Sequence, residues 1–259
     1  MSFDFCFIGA GNLATKLSLA LKNNGFNITQ VYSKTLQSAE NLAKKLGSSF
    51  TNSVSEINTN ADLFIVALKD DVIEDVLSKI NFQNKLIIHC AGSLPLSVLA
   101  KYSSNFGVLY PLQTFSKNRD VNFEEIPLFV EANSKKNEEI ILSIADKISN
   151  TATILNSEKR QMLHVSAVFA CNFVNYFYTI AADLLESSGI AFEVLRPLIM
   201  ETAEKVMNME PEEAQTGPAL RFDKKIMEKH MELLNSNKDY QELYMSVSKG
   251  IFEYHKKLK

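Results

Sequence analysis

Gly9, Gly11 and Ala14 stand at a spacing that suits phosphate chemistry. They follow the apolar run Phe5-Cys6-Phe7-Ile8 and open a helical pattern whose Leu13, Leu17, Ala20 and Leu21 share one face. A strand that turns through two glycines into a helix holds a dinucleotide's diphosphate against bare backbone. Gly9 permits the tight turn, and Gly11 lets the amides of the Ala10, Asn12 and Leu13 stretch approach the phosphates. Ala14 is the small residue where helix meets strand. The helix N-terminus adds unpaired donors and partial positive charge. About 20 residues beyond such glycines an NAD site carries an acidic residue for the ribose 2′-hydroxyl. Here the second strand ends in Tyr32-Ser33-Lys34-Thr35, with hydroxyls and an ammonium and no carboxylate. A charge-assisted hydrogen bond to a 2′-phosphate is worth roughly 1.5–3 kcal/mol. The pattern therefore prefers NADP(H) over NAD(H). Ser33 and Thr35 as caps of the next helix, with Lys34 in solvent, is an alternative compatible with that role.

Other chemistry-bearing residues fall at predicted strand ends. An open parallel sheet binds ligands beyond its carboxyl ends, at the switch point. That gathers the Gly9 turn, Ser33 to Thr35, Leu68-Lys69-Asp70, Ala91-Gly92-Ser93 and the loop containing Gln113 into one cleft. The first three groups line the dinucleotide's diphosphate, ribose and adenine, and Ala91 and Gly92 lie nearer the nicotinamide. Opposite them, a predicted long helix carries His164, Val168, Asn172 and Asn175 at spacings of four, four and three, on one face. An imidazole titrates near neutrality and delivers a proton as hydride arrives. His164 is thus the candidate donor, Asn172 holds a carbonyl or imine, Asn175 and Gln113 flank the substrate, and Ser93 assists. A plain hydrogen-bonded network fixing two helices accounts for the same residues, since buried polar groups need partners whatever their purpose. In Gln215-Thr216-Gly217-Pro218-Ala219-Leu220-Arg221, Thr216 and Arg221 are suited to an anionic substrate group. A helix stop and restart explains that run equally. His89 suits a backbone bond or a cap on the Ala91-Gly92 turn, and His230 and His255 fall on charged, solvated helices. The cluster Phe169, Phe173, Tyr176, Phe177 and Tyr178 reads as core or subunit interface.

The elements that must hold these residues alternate strand and helix as far as Leu155. Apolar runs without alternation, such as Leu63 to Leu68 and Leu86 to Ile88, belong to strands covered on both faces. The expected fold class is α/β, a doubly wound Rossmann-type parallel sheet over residues 1–156. Residues 157–259 contain no convincing strand and form an all-α C-terminal domain. One long helix is expected over Ser157 to Ser188, capped by Ser157, and others over Phe192 to Met209, Phe222 to Leu234 and Asp239 to Lys257. Asp70 is expected to cap the helix after the fourth strand.

The 259 residues, 46% of them hydrophobic, suffice for two cores. A net charge of −3 and a pI near 5.9 argue against nucleic-acid or anionic-membrane partners. Cys6, Cys90 and Cys171 are odd in number and far apart, which suggests neither disulfides nor a metal site. The N-terminus enters a strand directly and no apolar run approaches bilayer-spanning length, so a cytoplasmic protein is expected.

Several motifs recur together in one order: Gly9-x-Gly11-Asn12-Leu13-Ala14, Tyr32-Ser33-Lys34-Thr35, His89-x-Ala91-Gly92-Ser93, Tyr110-Pro111-Leu112-Gln113-Thr114-Phe115, His164-x-x-Ala167-Val168-Phe169-Ala170-Cys171-Asn172-Phe173 and Ala214-Gln215-Thr216-Gly217-Pro218-Ala219. Across nearly the whole chain they resemble the Rossmann-like NADP oxidoreductases whose helical C-terminal domain has no assigned function. More distantly the chain is similar to pyrroline-5-carboxylate reductase, ketopantoate reductase and the 6-phosphogluconate and β-hydroxyacid dehydrogenases. The resemblance implies an NADP(H)-dependent oxidoreductase whose helical domain closes the site and forms a homodimer. It supplies no substrate beyond a small polar carbonyl, hydroxy-acid or imine compound. Those dehydrogenases often present a lysine on the long helix, and none stands there in this sequence. A catalytically silent NADP(H) sensor is the rival reading.

Overall fold

A computed structural model of the chain describes residues 3–258. The chain divides into two compact units, Met1–Asn172 and Phe173–Lys259. The first is built from β1 (Asp4–Ile8), α1 (Asn12–Asn23), β2 (Asn27–Tyr32), α2 (Leu36–Leu46), β3 (Ser49–Thr51), β4 (Leu63–Val66), α3 (Ile73–Leu77), β5 (Leu86–His89), β6 (Phe106–Pro111), β7 (Leu128–Ala132), α4 (Lys135–Ile148), β8 (Ala152–Ile154) and α5 (Ser157–Ala167). Its strands form one sheet in the order β3-β2-β1-β4-β5-β6-β7-β8. The first six are parallel, in the 3-2-1-4-5-6 arrangement of doubly wound dinucleotide folds.

Both faces of the sheet are sealed. Phe5 and Phe7 pack into one core with Leu17, Leu21 and Ile65, while Cys6 and Ile8 pack into the other with Phe64, Ile73 and Phe82. That two-sided burial is the reason these strands read as unbroken apolar runs.

The expected doubly wound parallel sheet is present over β1 to β6, and it carries an antiparallel addition. β7 pairs antiparallel with β6, and β8 runs parallel to β7. A parallel neighbour requires a crossover of a dozen or more residues, usually a helix. The link over 112–127 is long enough for a crossover but holds no α-helix, only the 3-10 turn Phe123–Glu125, and the chain doubles back.

Helix starts also differ from the sequence reading. Lys69, not Asp70, precedes the turn Asp70–Val72, and no side chain caps it. The long helix is capped by Asn156, whose side chain accepts from the Lys159 amide. Ser157 instead donates to Glu131 and accepts from the Leu96 amide. From Ser157 to Glu186 the chain is helical throughout, with a π-turn at Val168–Phe173. The extra residue in that turn breaks the 3.6-residue spacing that puts His164, Asn172 and Asn175 on one face. The unit boundary falls within this turn, sixteen residues beyond 156, because the helix's first turns are tied to the sheet.

By length and composition Ser157–Glu186 is able to cross a bilayer, with a mean hydropathy of 1.3 in its most apolar window. This corrects the expectation that no run approaches that length. Its first turns are bonded to the sheet by Arg160 and His164.

The second unit comprises α6 (Val174–Glu186), α7 (Arg196–Asn208), α8 (Pro211–Ala214), α9 (Pro218–Arg221), α10 (Lys224–Leu233) and α11 (Lys238–Leu258). Pro197 sits in the first turn of α7, where its missing N–H costs nothing. Among the described residues of this unit only Ala219, Met227 and Leu234 are fully buried apolar side chains. His230 and His255 are not simply solvated. His230 Nδ1 pairs with the Tyr244 hydroxyl at 2.8 Å, and His255 bridges the Ile251 and Glu212 carbonyls at 2.9 and 3.0 Å.

Candidate active site

Parallel β1, β4, β5 and β6 end on one edge of the sheet, and the candidate residues emerge there. The Gly9 amide donates to the Tyr32 carbonyl at 2.8 Å, closing the turn after β1. Gly9 has φ +124, and a Cβ on it would overlap the Ala67 carbonyl. Glycine is therefore required at 9 by the fold itself. Gly11 is different: its φ is −74 and a Cβ there would meet nothing within 4 Å. Neither backbone strain nor internal packing asks for glycine at 11, so the open space suits a ligand that must touch backbone. Ala14 is fully buried beneath it. The first turn of α1 has no side-chain cap and no acidic residue, leaving its partial positive charge uncompensated. Asn12 donates from its side chain to the Phe115 carbonyl at 2.9 Å, which ties the loop after β6 to the start of α1.

At the end of β2, Ser33 donates its amide to Thr51, and Lys34 is exposed with no ion pair among the described residues. Thr35 precedes α2, but its hydroxyl makes no cap bond. The hydroxyl and ammonium groups of this stretch are available to an anion. Leu68, Lys69 and Asp70 follow β4. Asp70 accepts from the Ser93 hydroxyl, and the Ser93 carbonyl accepts from Gln161 at 2.7 Å. Ser93 thus has an occupation of its own.

Behind this edge lies His89, fully buried at the end of β5. Its Nδ1 accepts from the Ala91 amide at 3.2 Å, which shapes the turn carrying Ala91 and Gly92. Burial first, and then the Arg160 charge, push His89 down to about 3. It is a neutral structural ring. Burial likewise raises the Cys6 and Cys90 thiols to about 12.

The first unit carries an open pocket of about 430 Å³ lined by Gln113, His164 and Asn172 together with Tyr110, Leu112, Thr114 and Cys171. His164 Nδ1 lies 3.0 Å from the Tyr110 hydroxyl. Gly92 packs directly under the ring, and a Cβ there would come within 2.7 Å of His164 Cγ and Nδ1. One turn before His164, Arg160 is fully buried, bonded to Glu131, the Leu94 carbonyl and Ser157. Neither Ser93 nor Asn175 lines this cavity. Asn175, Thr216 and Arg221 are residues of the second unit, where Thr216 lines a separate cavity of about 400 Å³ with His230 and Tyr244.

Tyr110 and Arg160 are the residues that sequence reasoning passed over. Tyr110 closes an apolar strand and reads as an ordinary end residue. Arg160 precedes His164 by four and shares its face, while Glu131 is the one carboxylate in β7, and those two signals together point to a buried pair.

Such a sheet, with a glycine turn at its switch point and a largely apolar pocket carrying a few polar groups, defines an α/β dinucleotide-binding protein with a helical C-terminal unit. Residues 4–92 match the family described as "NADP oxidoreductase coenzyme F420-dependent", and residues 126–251 match a domain of unknown function, DUF2520. A Bacteroides fragilis protein solved as a "putative NADP oxidoreductase" is 44% identical, with TM-score 0.93 over 97% of this chain and 98% of its own. A Thermotoga maritima protein, TM1727, shares the fold at 23% identity and TM-score 0.80, over 96% and 98% of the two chains. An imine reductase from Myxococcus stipitatus, solved with NADP+, shares it at 16% identity and TM-score 0.73, over 98% and 94%. No curated protein matches the sequence. The chain belongs to the NADP oxidoreductase family, in the form that joins a Rossmann-type domain to a DUF2520 domain.

Proposed function

We propose that this oxidoreductase transfers hydride between NADP(H) and a small polar carbonyl, hydroxy-acid or imine compound, with His164 as the proton-donating group. The observation that carries the proposal is the convergence of His164, Asn172 and Gln113 on one cavity of the sheet-bearing unit. Bound NADPH supplies the hydride. The amides from Ala10 to Leu13, opened by Gly11, hold its diphosphate, and Ser33, Lys34 and Thr35 receive the 2′-phosphate. Leu68, Lys69 and Asp70 flank the adenosine side, with Ala91 and Gly92 nearer the reacting ring. Asn172 orients the substrate heteroatom, and His164 delivers a proton to it. The Ser93 hydroxyl, held by Asp70, acts by shaping the turn after β5.

The test is kinetic. His164→Ala is expected to abolish NADPH oxidation with keto acids and cyclic imines while NADPH affinity is retained, and an unchanged rate rejects the assignment. Lys34→Glu should weaken NADPH by roughly 1.5–3 kcal/mol and leave NADH nearly unaffected. The rival reading, a silent NADP(H) sensor, draws on a cavity lining without lysine or carboxylate. NADPH binding without turnover across such a substrate panel favours it.

We further propose that the helical unit pairs with a second copy of the chain, since it leaves Leu198, Met200 and Met207 largely exposed. The three free cysteines suit a reducing, cytoplasmic setting.

A further inference from the structure

His164 has one protein partner, the Tyr110 hydroxyl at 3.0 Å from Nδ1. Either atom is able to donate, and the surroundings decide between them. Tyr110 is only 8% exposed, and its hydroxyl has no second hydrogen-bond partner among the described residues. If Nδ1–H donated to the phenol oxygen, the phenol's own proton would be left without an acceptor, a costly state for a buried group. With the phenol donating, the donor left over is Nε2–H, on a ring that is more exposed than the phenol and lines the open pocket. Burial holds the Tyr110 phenol above its ordinary range, and the Arg160 charge opposes that rise. The groups set around the pair are Arg160 on α5, Glu131 on β7 and the neutral His89 on β5, and the Arg160 charge reaches both Tyr110 and His89.

We infer that Tyr110 is a positioning residue that fixes His164 as the Nε2–H tautomer and replenishes its proton. This rests on the reading of His164 as the proton-donating group. As the Nε2–H bond breaks and its proton passes to the substrate heteroatom, the Tyr110 O–H bond breaks and its proton passes to Nδ1. The ring stays neutral, the charge left on the phenol oxygen is favoured by the nearby Arg160 against the burial that opposes it, and solvent then returns a proton to Nε2 as the Nδ1 proton goes back to the phenol oxygen. Gly92 holds the arrangement, because no larger residue leaves space for the ring.

The test uses the full chain labelled with 15N-histidine, whose long-range nitrogen–proton spectra report which ring nitrogen carries hydrogen. Four histidines give four patterns, and the His164→Gln spectrum identifies the one that disappears. The expected wild-type pattern at neutral pH has hydrogen on Nε2 and a bare Nδ1. Tyr110→Phe keeps the ring volume and is expected to add an Nδ1–H population and lower kcat about 10- to 100-fold, with KM for NADPH unchanged. A wild-type ring protonated on Nδ1 overturns the inference, without recourse to any variant, and so does a Tyr110→Phe spectrum identical to wild type. If no substrate turns over while the tautomers behave as expected, the hydride-transfer reading fails and the Tyr110 assignment stands.

Discussion

Phe5 and Phe7 are sealed on one face of β1, and Cys6 and Ile8 are sealed on the other. In the helical unit, by contrast, Leu198, Met207 and Leu233 each stand more than half exposed. Both units are rich in apolar residues, yet the first buries far more of them among its described residues than the second, which buries Ala219, Met227 and Leu234. Its long-range strand pairing closes two cores and gives the buried Arg160 a carboxylate, a carbonyl and a hydroxyl as partners for its two terminal nitrogens, Nε being left without one. The comparison teaches that apolar content alone does not make a core. In the sheet-bearing unit the residues serve internal packing, whereas in the helical one they are available to another surface.

The sharpest way to break this comparison is to disturb the buried charge. Arg160→Ala leaves the part-buried Glu131 with only the Ser157 hydroxyl as partner and should destabilise the sheet-bearing unit by roughly 3–5 kcal/mol, read from urea unfolding and from amide exchange in β5 and β6. A loss under about 1 kcal/mol would show that the unit is looser than its burial implies. Next in size is Gly92→Ala, which pushes a Cβ into the His164 ring. It should cut kcat about 100-fold with NADPH binding retained, the scale expected when a reacting group is misplaced by about 1 Å.

A third test uses acid. His89 has an ordinary value of 6.5 and is held down to about 3 in the folded chain. Across that window the unfolded chain binds a proton that the folded chain refuses, so stability is complete above 6.5 and falls as pH drops. The slope is at most about 1.4 kcal/mol per pH unit. His89→Asn keeps an acceptor for the Ala91 amide and removes the titration, so its unfolding midpoint should lose that slope; equal slopes in the two proteins assign the acid sensitivity elsewhere. The smallest expected effect on folding concerns the open helices. Paired substitutions Leu198→Glu and Met207→Glu should convert a dimer to a monomer in sedimentation velocity while changing the stability of the sheet-bearing unit by less than about 0.5 kcal/mol. An unchanged sedimentation coefficient removes those faces from the proposed pairing.

Much of the sheet was legible because its signal is local. A buried parallel strand announces itself in a run such as Leu63 to Val66, and a glycine turn in Gly9 and Gly11. The direction of β7 was not legible in its own residues, since direction depends on what connects it to β6. Capping was misread by one residue at Asn156 because Ser157, an equally good cap, was needed by Glu131 twenty-six residues earlier. At the site, His164, Asn172 and Gln113 were readable from residue type and position relative to strand ends. Tyr110 and Arg160 were not, because their roles exist only through partners far away in sequence. The π-turn at Val168–Phe173 adds a residue that no 3.6-residue pattern anticipates.

The reversal of β7 and β8 also decides where α5 departs. Glu131 pairs opposite Val108, well back from the Pro111 end of β6, and Ser157 takes hold of Glu131 at that depth. Seven helical residues from Ser157 to His164 climb about 10 Å, which matches the roughly 10 Å spanned by three strand residues from Val108 to Pro111. The turned strand pair thus starts α5 level with His89, and the helix's first two turns carry an imidazole on toward the Pro111 end of β6. An insertion or deletion of even one residue between Ser157 and His164 would make the imidazole overshoot or fall short.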